Sequence, residues 1–194
     1  MAIILASGSP RRKELLEMLG IKDLLVIPAK GEEKAPENAG PGEIVESLSR
    51  AKALEVAENC SPEDVIIAAD TIVWFGGKVY GKPQTEEEAF SMLASLSGSM
   101  HEVYTGVTIL HNGRELCEYE VSGVMFRELS EEEIRTYIRT GEPMDKAGGY
   151  GAQGKGALFV KRIEGDFFNV MGLPICRLGE MLKKQGVNVF EGLS

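Results

Sequence analysis

Ser7-Gly8-Ser9-Pro10-Arg11-Arg12 places two hydroxyls and two guanidinium groups within six residues. The segment follows a short apolar run and precedes a helical pattern that Pro10 opens. Exposed backbone N–H groups and the helix dipole attract anions at such a place, and arginines add bidentate hydrogen bonds. The phosphates of a small molecule, up to a triphosphate, would suit it. The plain alternative is a capped helix with a solvated basic first turn, which must explain cations set against the positive end of the dipole. Asp70 closes the apolar run 65–69. A carboxylate at a strand end can hold a divalent cation or take a proton from attacking water; it can equally cap a turn. Glu32 and Glu33 lie in a polar loop, Lys52 interrupts an apolar helix side, and Lys82 sits between Gly81 and Pro83. Taken singly, these are loop carboxylates and snorkelling or surface lysines.

The elements that must carry these side chains are legible in outline. Residues 2–6 read as a buried strand. Ser9 suits an N-cap and Pro10 the first helical position, with Leu15, Leu16 and Leu19 on one side and Gly20 as the stop. Residues 24–27 read as a strand and 29–42 as a polar loop. Ile44, Val45, Leu48, Ala51 and Leu54 then recur at helical spacing. The continuous run 65–69 marks a buried central strand, continued by 72–75 to the Gly76-Gly77 turn, from which 78–80 returns. Thr85 with Glu88, and Ser130 with Glu133, form capping boxes; the two helices end near Gly98 and at Gly141. Asn112-Gly113 joins strands 103–111 and 114–121 as a hairpin. Residues 158–163 form another strand and 174–185 the last helix. Helices alternate with strands early, and hairpins fill the middle. The expected fold is therefore α/β, a mixed sheet flanked by helices, built as a single domain over 1–194.

Composition removes several function classes. Lys and Arg number 21 against 30 Asp and Glu, a formal charge of −9. That average opposes a general nucleic-acid binder or a binder of anionic membranes, yet leaves room for a locally basic cleft. Cys60, Cys117 and Cys176 are odd in number, widely spaced and without a CxxC pair, which points to a reducing cytoplasm and away from a disulfide framework or a cysteine–zinc site. His101 and His111 are too few for a histidine-rich metal site. Residues 1–6 are too short for a signal peptide or a membrane span. Glycine is in excess, 23 of 194 residues, and is concentrated between 141 and 156. Gly149–Gly154 fits GxGxxG and most of a P-loop, but turn formers precede it, a strand follows it, and Gly156 stands where a P-loop needs Ser or Thr.

The motifs taken together resemble the Maf family of nucleoside triphosphate pyrophosphatases, named for an association with bacterial septum formation. The pieces are ASGSPRR (6–12), Glu32-Glu33, Ala51-Lys52-Ala53, AADTIV (68–73), GKP (81–83), VYTGV (103–107), TGEPMDKAGGYGAQG (140–154) and NVMGLP (169–174), in order over nearly the whole chain. The resemblance implies an elongated mixed sheet with two lobes around a nucleotide cleft. It implies hydrolysis of a nucleoside triphosphate to the monophosphate and pyrophosphate. It implies that Ser7, Arg11, Arg12, Lys52 and Lys82 bind phosphates, with Lys146 in a motif segment of the same cleft. Glu33 and Asp70 would bind a divalent cation, magnesium first and manganese as the other choice, with Asp70 also the general base. Arg11, Thr71 and Gln153 fall at positions linked to base selection. SPRR, DT and YGxQG match the branch acting on dTTP and UTP, with CTP and modified pyrimidine nucleotides as further substrates. The sister branch acting on 7-methyl-GTP tends to carry Tyr in place of Arg11 and Gln in place of Thr71. A non-catalytic nucleotide sensor that regulates division is the other alternative, against which the intact set of Glu33, Asp70 and Lys82 speaks. A homodimer is the implied assembly. Three departures stand out: Glu32 for a common Asp, a longer Gly/Pro-rich loop over 34–42, and Asp166-Phe167-Phe168 for Ser-Tyr-Tyr, which bears on ribose or base contacts around 167–169.

Overall fold

The computed structural model describes residues 1–21, 23–31 and 34–188. Strand β1 (Ile3–Leu5) leads to helix α1 (Pro10–Met18), the two-residue strand β2 (Leu25–Val26) and helix α2 (Pro41–Ala57). Strands β3 (Val65–Phe75) and β4 (Lys78–Tyr80), helix α3 (Glu86–Leu96), strands β5 (Met100–His111) and β6 (Arg114–Phe126) and helix α4 (Glu131–Ile138) follow. Three 3-10 turns, Glu142–Asp145, Ala147–Gly149 and Lys155–Phe159, precede β7 (Val160–Glu164), α5 (Phe167–Met171) and α6 (Ile175–Lys184). The strands pair in the order β2-β1-β3-β5-β6-β7, with β4 also on β3. β1 is parallel to both β2 and β3, whereas β4 on β3 and β7 on β6 are antiparallel. The expected mixed α/β sheet is what forms.

Several local expectations hold for the expected reasons. Asn112 and Gly113 take φ of 50° and 72°, as a two-residue hairpin turn demands. Ser130 Oγ accepts the Glu133 N–H at 3.2 Å while Glu133 Oε2 accepts the Ser130 N–H at 3.0 Å, a complete capping box. Arg127 donates to Glu133 Oε1 at 2.6 Å, and with the Ser130 N–H this holds the Glu133 carboxyl down to about 2.

Others shift. Ser9 stands at the N-cap, but its side chain makes no cap hydrogen bond. Thr85 accepts the Glu88 N–H, yet the Glu88 carboxylate reaches Gln84 N at 2.7 Å, one residue before the cap, so that box is half formed. α2 starts at Pro41, inside the expected loop, because Glu43 Oε2 accepts the Gly40 N–H at 2.8 Å and secures the first turn. Leu158 and Phe159 belong to a 3-10 turn, not to the following strand. The strand pair β5–β6 is longer than expected, at 12 and 13 residues.

The chain forms two compact units, each assembled from separated stretches. Of the described residues, the first comprises those of 1–70, 105–120 and 172–188; the second comprises Thr71–Tyr104 and Val121–Met171. Strands β3, β5 and β6 contribute to both. In the first unit, Ala53 of α2 meets Ala6 and Ala68 in a fully buried cluster with Ile4, Val56 and Ile66. Small side chains let the helix lie close to the sheet. Gly106 in β5 takes this furthest, since a Cβ there would sit 2.3 Å from Val45 O and 2.4 Å from Val45 C. Arg177 of α6 pairs with Glu118 at 2.8 Å and Glu120 at 2.9 Å, tying that helix to β6.

In the second unit a cluster of rings sits within a largely aliphatic core. Phe126, Tyr150 and His101 stack edge to face, with centroids 4.7 Å apart for Phe126–Tyr150 and 4.9 Å for His101–Phe126. His101 is 1% exposed, and its Nε2 lies 2.8 Å from the Tyr150 hydroxyl. Burial holds the imidazole down at about 4, so it is neutral at physiological pH. Among the described residues no helix is long and apolar enough to cross a membrane.

Two outcomes follow from this packing. Gly106→Ala should push α2 from β5 and lower unfolding free energy by about 1–3 kcal/mol, read by urea denaturation. For His101, the unfolded chain takes up a proton near 6.5 and the folded one only near 4. Its contribution, about 3 kcal/mol at most, is therefore complete above 6.5 and disappears as pH falls toward 4. Unfolding free energy should drop between pH 7 and pH 5, and His101→Gln should flatten that drop.

Candidate active site

Asp70 does not close its strand. It is the middle residue of β3, an eleven-residue strand buried throughout its first half. Its surroundings do change at that point. β1 pairs with Val65, Ile66 and Ile67, and β4 with Val73, Trp74 and Phe75. The carboxylate thus lies between the stretch of β3 that pairs with β1 and the stretch that pairs with β4. Asp70 is 6% exposed. A carboxylate so buried needs a cation close by, and Lys52 supplies one: its Nζ donates to Asp70 Oδ1 at 2.5 Å. Lys52 is the interruption in the apolar side of α2, and this ion pair is its partner in the fold.

The Ser7–Arg12 turn follows β1, whose parallel pairing brings it alongside β3. The Ala6 N–H donates to Ile67 O at 2.8 Å, and the register, Leu5 opposite Ile67, puts Ser7 one residue short of the level of Asp70. Ser7 Oγ accepts from the Ser9 N–H at 3.3 Å and from Arg12 at 3.0 Å. Arg12 Nε donates to Gly172 O at 2.8 Å. With 9% of its surface exposed, Arg12 braces α1 against the segment after α5 and fixes the rotamer of Ser7. Arg11 is the more open of the two arginines. Ser7, Arg11, Arg12, Lys52 and Asp70 all lie in the first unit. Glu32 and Glu33 lie outside the described residues.

Thr71, Lys82 and Gln153 lie in the second unit. Thr71 is half-buried and follows Asp70 directly in β3, while Lys82 and Gln153 are exposed. The turn bearing Lys82 is tied to the glycine-rich segment, whose Gly148 N–H donates to Gly81 O at 3.0 Å. The Lys146 Nζ donates to Glu142 O at 2.9 Å and to Asp145 Oδ1 at 2.6 Å. The glycine-rich segment is a run of 3-10 turns, with neither a strand before it nor an α-helix after it, so the dinucleotide and P-loop patterns find no matching context.

Sequence reasoning passed over Glu142 as a turn former. Its carboxylate accepts the Tyr137 hydroxyl at 2.9 Å, the Lys155 N–H at 3.0 Å and the Gly156 N–H at 3.1 Å. Burial raises the acid, but those donors and the Lys146 charge outweigh it and hold the carboxyl below its usual range. The available signal was an acid beside a glycine-rich loop full of backbone donors. Among the described residues no group of three or more His, Cys, Asp or Glu could hold a metal ion. Of the two carboxylates expected to bind a cation, the described residues include Asp70.

Residues 2–185 match the family model described as Maf-like protein. A protein named dTTP/UTP pyrophosphatase in Bacillus cereus strain G9842 is 50% identical over 187 residues, covering 96% of this chain and 97% of its own. One of the same name in Bacillus thuringiensis subsp. konkukian is 49% identical over the same length and shares. Among solved structures, the Staphylococcus aureus Ham1 protein is similar in fold, with a TM-score of 0.52 at 14% identity over 95% of this chain and 100% of that one.

The buried ion pair is open to a double-mutant cycle. Lys52→Met strands the Asp70 charge and should cost about 2–4 kcal/mol of unfolding free energy at pH 7.5. Adding Asp70→Asn should restore part of it. Additive losses in the double variant would show that the pair is uncoupled.

Proposed function

The chain belongs to the family of Maf-like proteins, and from that premise we propose that it is a nucleoside triphosphate pyrophosphatase acting on dTTP and UTP. Water and the triphosphate give the nucleoside monophosphate and pyrophosphate. The observation that carries this reading is local to the first unit. A hydroxyl- and guanidinium-bearing turn at the end of β1 runs alongside the strand that holds a buried, lysine-anchored Asp70. Near-complete coverage by relatives of that name at 50% identity supports the same substrates.

In this reading Lys52 holds Asp70 Oδ1 and keeps the carboxylate oriented, leaving Oδ2 as the base. It takes a proton from water as the water oxygen bonds to the α-phosphorus. The bond to the bridging oxygen breaks, and pyrophosphate leaves. Ser7, Arg11, Arg12, Lys52 and Lys82 bind the phosphate oxygens; Arg12 and Lys52 act from side chains already anchored on Ser7 and Asp70. Arg11, Thr71 and Gln153 select the base, Thr71 and Gln153 by hydrogen bonds to a pyrimidine edge. Magnesium keeps several waters and uses one or two carboxylates together with substrate phosphates; Asp70 would supply one carboxylate, and Glu33, outside the described residues, would be the other. The bound cation would neutralise phosphate charge. The three free cysteines suit a reducing cytoplasm, and a homodimer is the assembly that accompanies this reading.

Purified protein with magnesium should convert dTTP and UTP to monophosphate plus pyrophosphate, faster than it converts purine triphosphates, and chelation should stop it. Asp70→Asn should lower turnover by about 10² or more. Absence of turnover on every triphosphate would overturn the enzymatic reading, and near-normal turnover in Asp70→Asn would remove Asp70 from its role.

A further inference from the structure

The glycine-rich segment is built around one acid. Glu142 Oε1 takes the Tyr137 hydroxyl and the Gly156 N–H, and Oε2 takes the Lys155 N–H. The same Tyr137 hydroxyl accepts the Gly151 N–H at 3.2 Å. Acid and phenol together therefore hold three backbone N–H groups, at 151, 155 and 156, on both sides of Gln153. The fit leaves no room for side chains. A Cβ on Gly154 would stand 2.5 Å from Glu142 Oε1, and one on Gly156 would stand 2.8 Å from the Tyr137 hydroxyl. Tyr137 is itself fixed, 5% exposed and packed edge to face on Phe159 at 4.9 Å between centroids. Gln153 is exposed on this staple and projects from a backbone gripped before and after it.

We infer that Glu142 is a positioning residue for base selection: its carboxylate sets the backbone of 151–156 and thereby the placement of Gln153 toward a pyrimidine triphosphate. This rests on the role given to Gln153 above. A carboxylate is needed because both oxygens accept. Glutamine in its place would keep Oε1 for Tyr137 and Gly156 but set an amide N–H₂ against the Lys155 N–H, donor against donor. The loop would loosen at Lys155 while the phosphate-binding residues stayed in place.

The test compares Glu142→Gln, Tyr137→Phe and Gln153→Ala. Each is assayed on dTTP and on GTP with magnesium, with backbone amide exchange followed over 151–156 and thermal unfolding as a check on the whole fold. Glu142→Gln should lower the dTTP-over-GTP preference in kcat/KM by about tenfold, the loss of one good hydrogen bond. The change should appear in KM for dTTP, with kcat within about threefold, and amides 151–156 should exchange faster. Tyr137→Phe, which keeps the ring packing, should move the same quantities in the same direction. Retention of the preference in Glu142→Gln and Tyr137→Phe where Gln153→Ala loses it would overturn the inference. Retention in Gln153→Ala as well would overturn the base-reading role of Gln153, and this inference with it. A uniform fall in kcat for both nucleotides at unchanged preference would mark Glu142 as a general structural residue and also overturn it.

Discussion

A carboxylate buried in a sheet survives as an anion only beside a cation, and Asp70 meets Lys52 because α2 lies nearly backbone to backbone on β5. Gly106 gives way to the Val45 carbonyl, and about two turns further along α2 Ala53 packs with Ala6, just after β1, and Ala68 of β3. At that separation a lysine on the buried side of the helix reaches the strand without bending out to solvent. The small residues of the first unit thus set the distance at which Lys52 meets Asp70. Larger side chains would bury more surface and hold Lys52 too far from its partner. The arrangement trades hydrophobic area for the proximity that a buried ion pair requires.

The second unit solves a related problem with different chemistry. Its glycine-rich stretch has many backbone N–H groups and few side chains with which to bury them, and unpaired buried donors are costly. Glu142 and Tyr137 accept several of them at once, and the glycines are spaced so that nothing obstructs the two acceptors. Beneath lies the aromatic stack of Phe126, Tyr150 and the neutral His101. It gives the loop a rigid floor and keeps the only deeply buried imidazole of that unit out of proton chemistry near neutral pH.

Where a feature depends on neighbours in sequence, it was legible beforehand. Asn112-Gly113 turns because both residues tolerate positive φ, and Ser130 with Glu133 caps because the two positions are three apart on one turn. The switch of β3 from one partner strand to another around Asp70 depends on β1 and β4, which are remote in sequence; read locally, the apolar run simply stopped. Arg12 looked like a twin of Arg11, yet Gly172 O, 160 residues away, claims its Nε. Glu88 chose Gln84 over Thr85, and Glu142 looked like any acid in a turn, because neither the choice nor the donors around it can be seen along the chain.

The residue types themselves carried the chemistry. A turn at 7–12 suited to anions, an acid in an apolar run, lysines in a helix side and a turn, and an ordered set of motifs carried the resemblance to the family. What only the tertiary structure decided is which charge answers which. Lys52 belongs to Asp70, Arg12 to Ser7 and Gly172, and Glu142 to the backbone around Gln153. These pairings are set by distances of about 3 Å between groups separated by as many as 160 residues. Hydrogen bonds fall away within about an ångström beyond that, so their partners are fixed by how closely the elements pack.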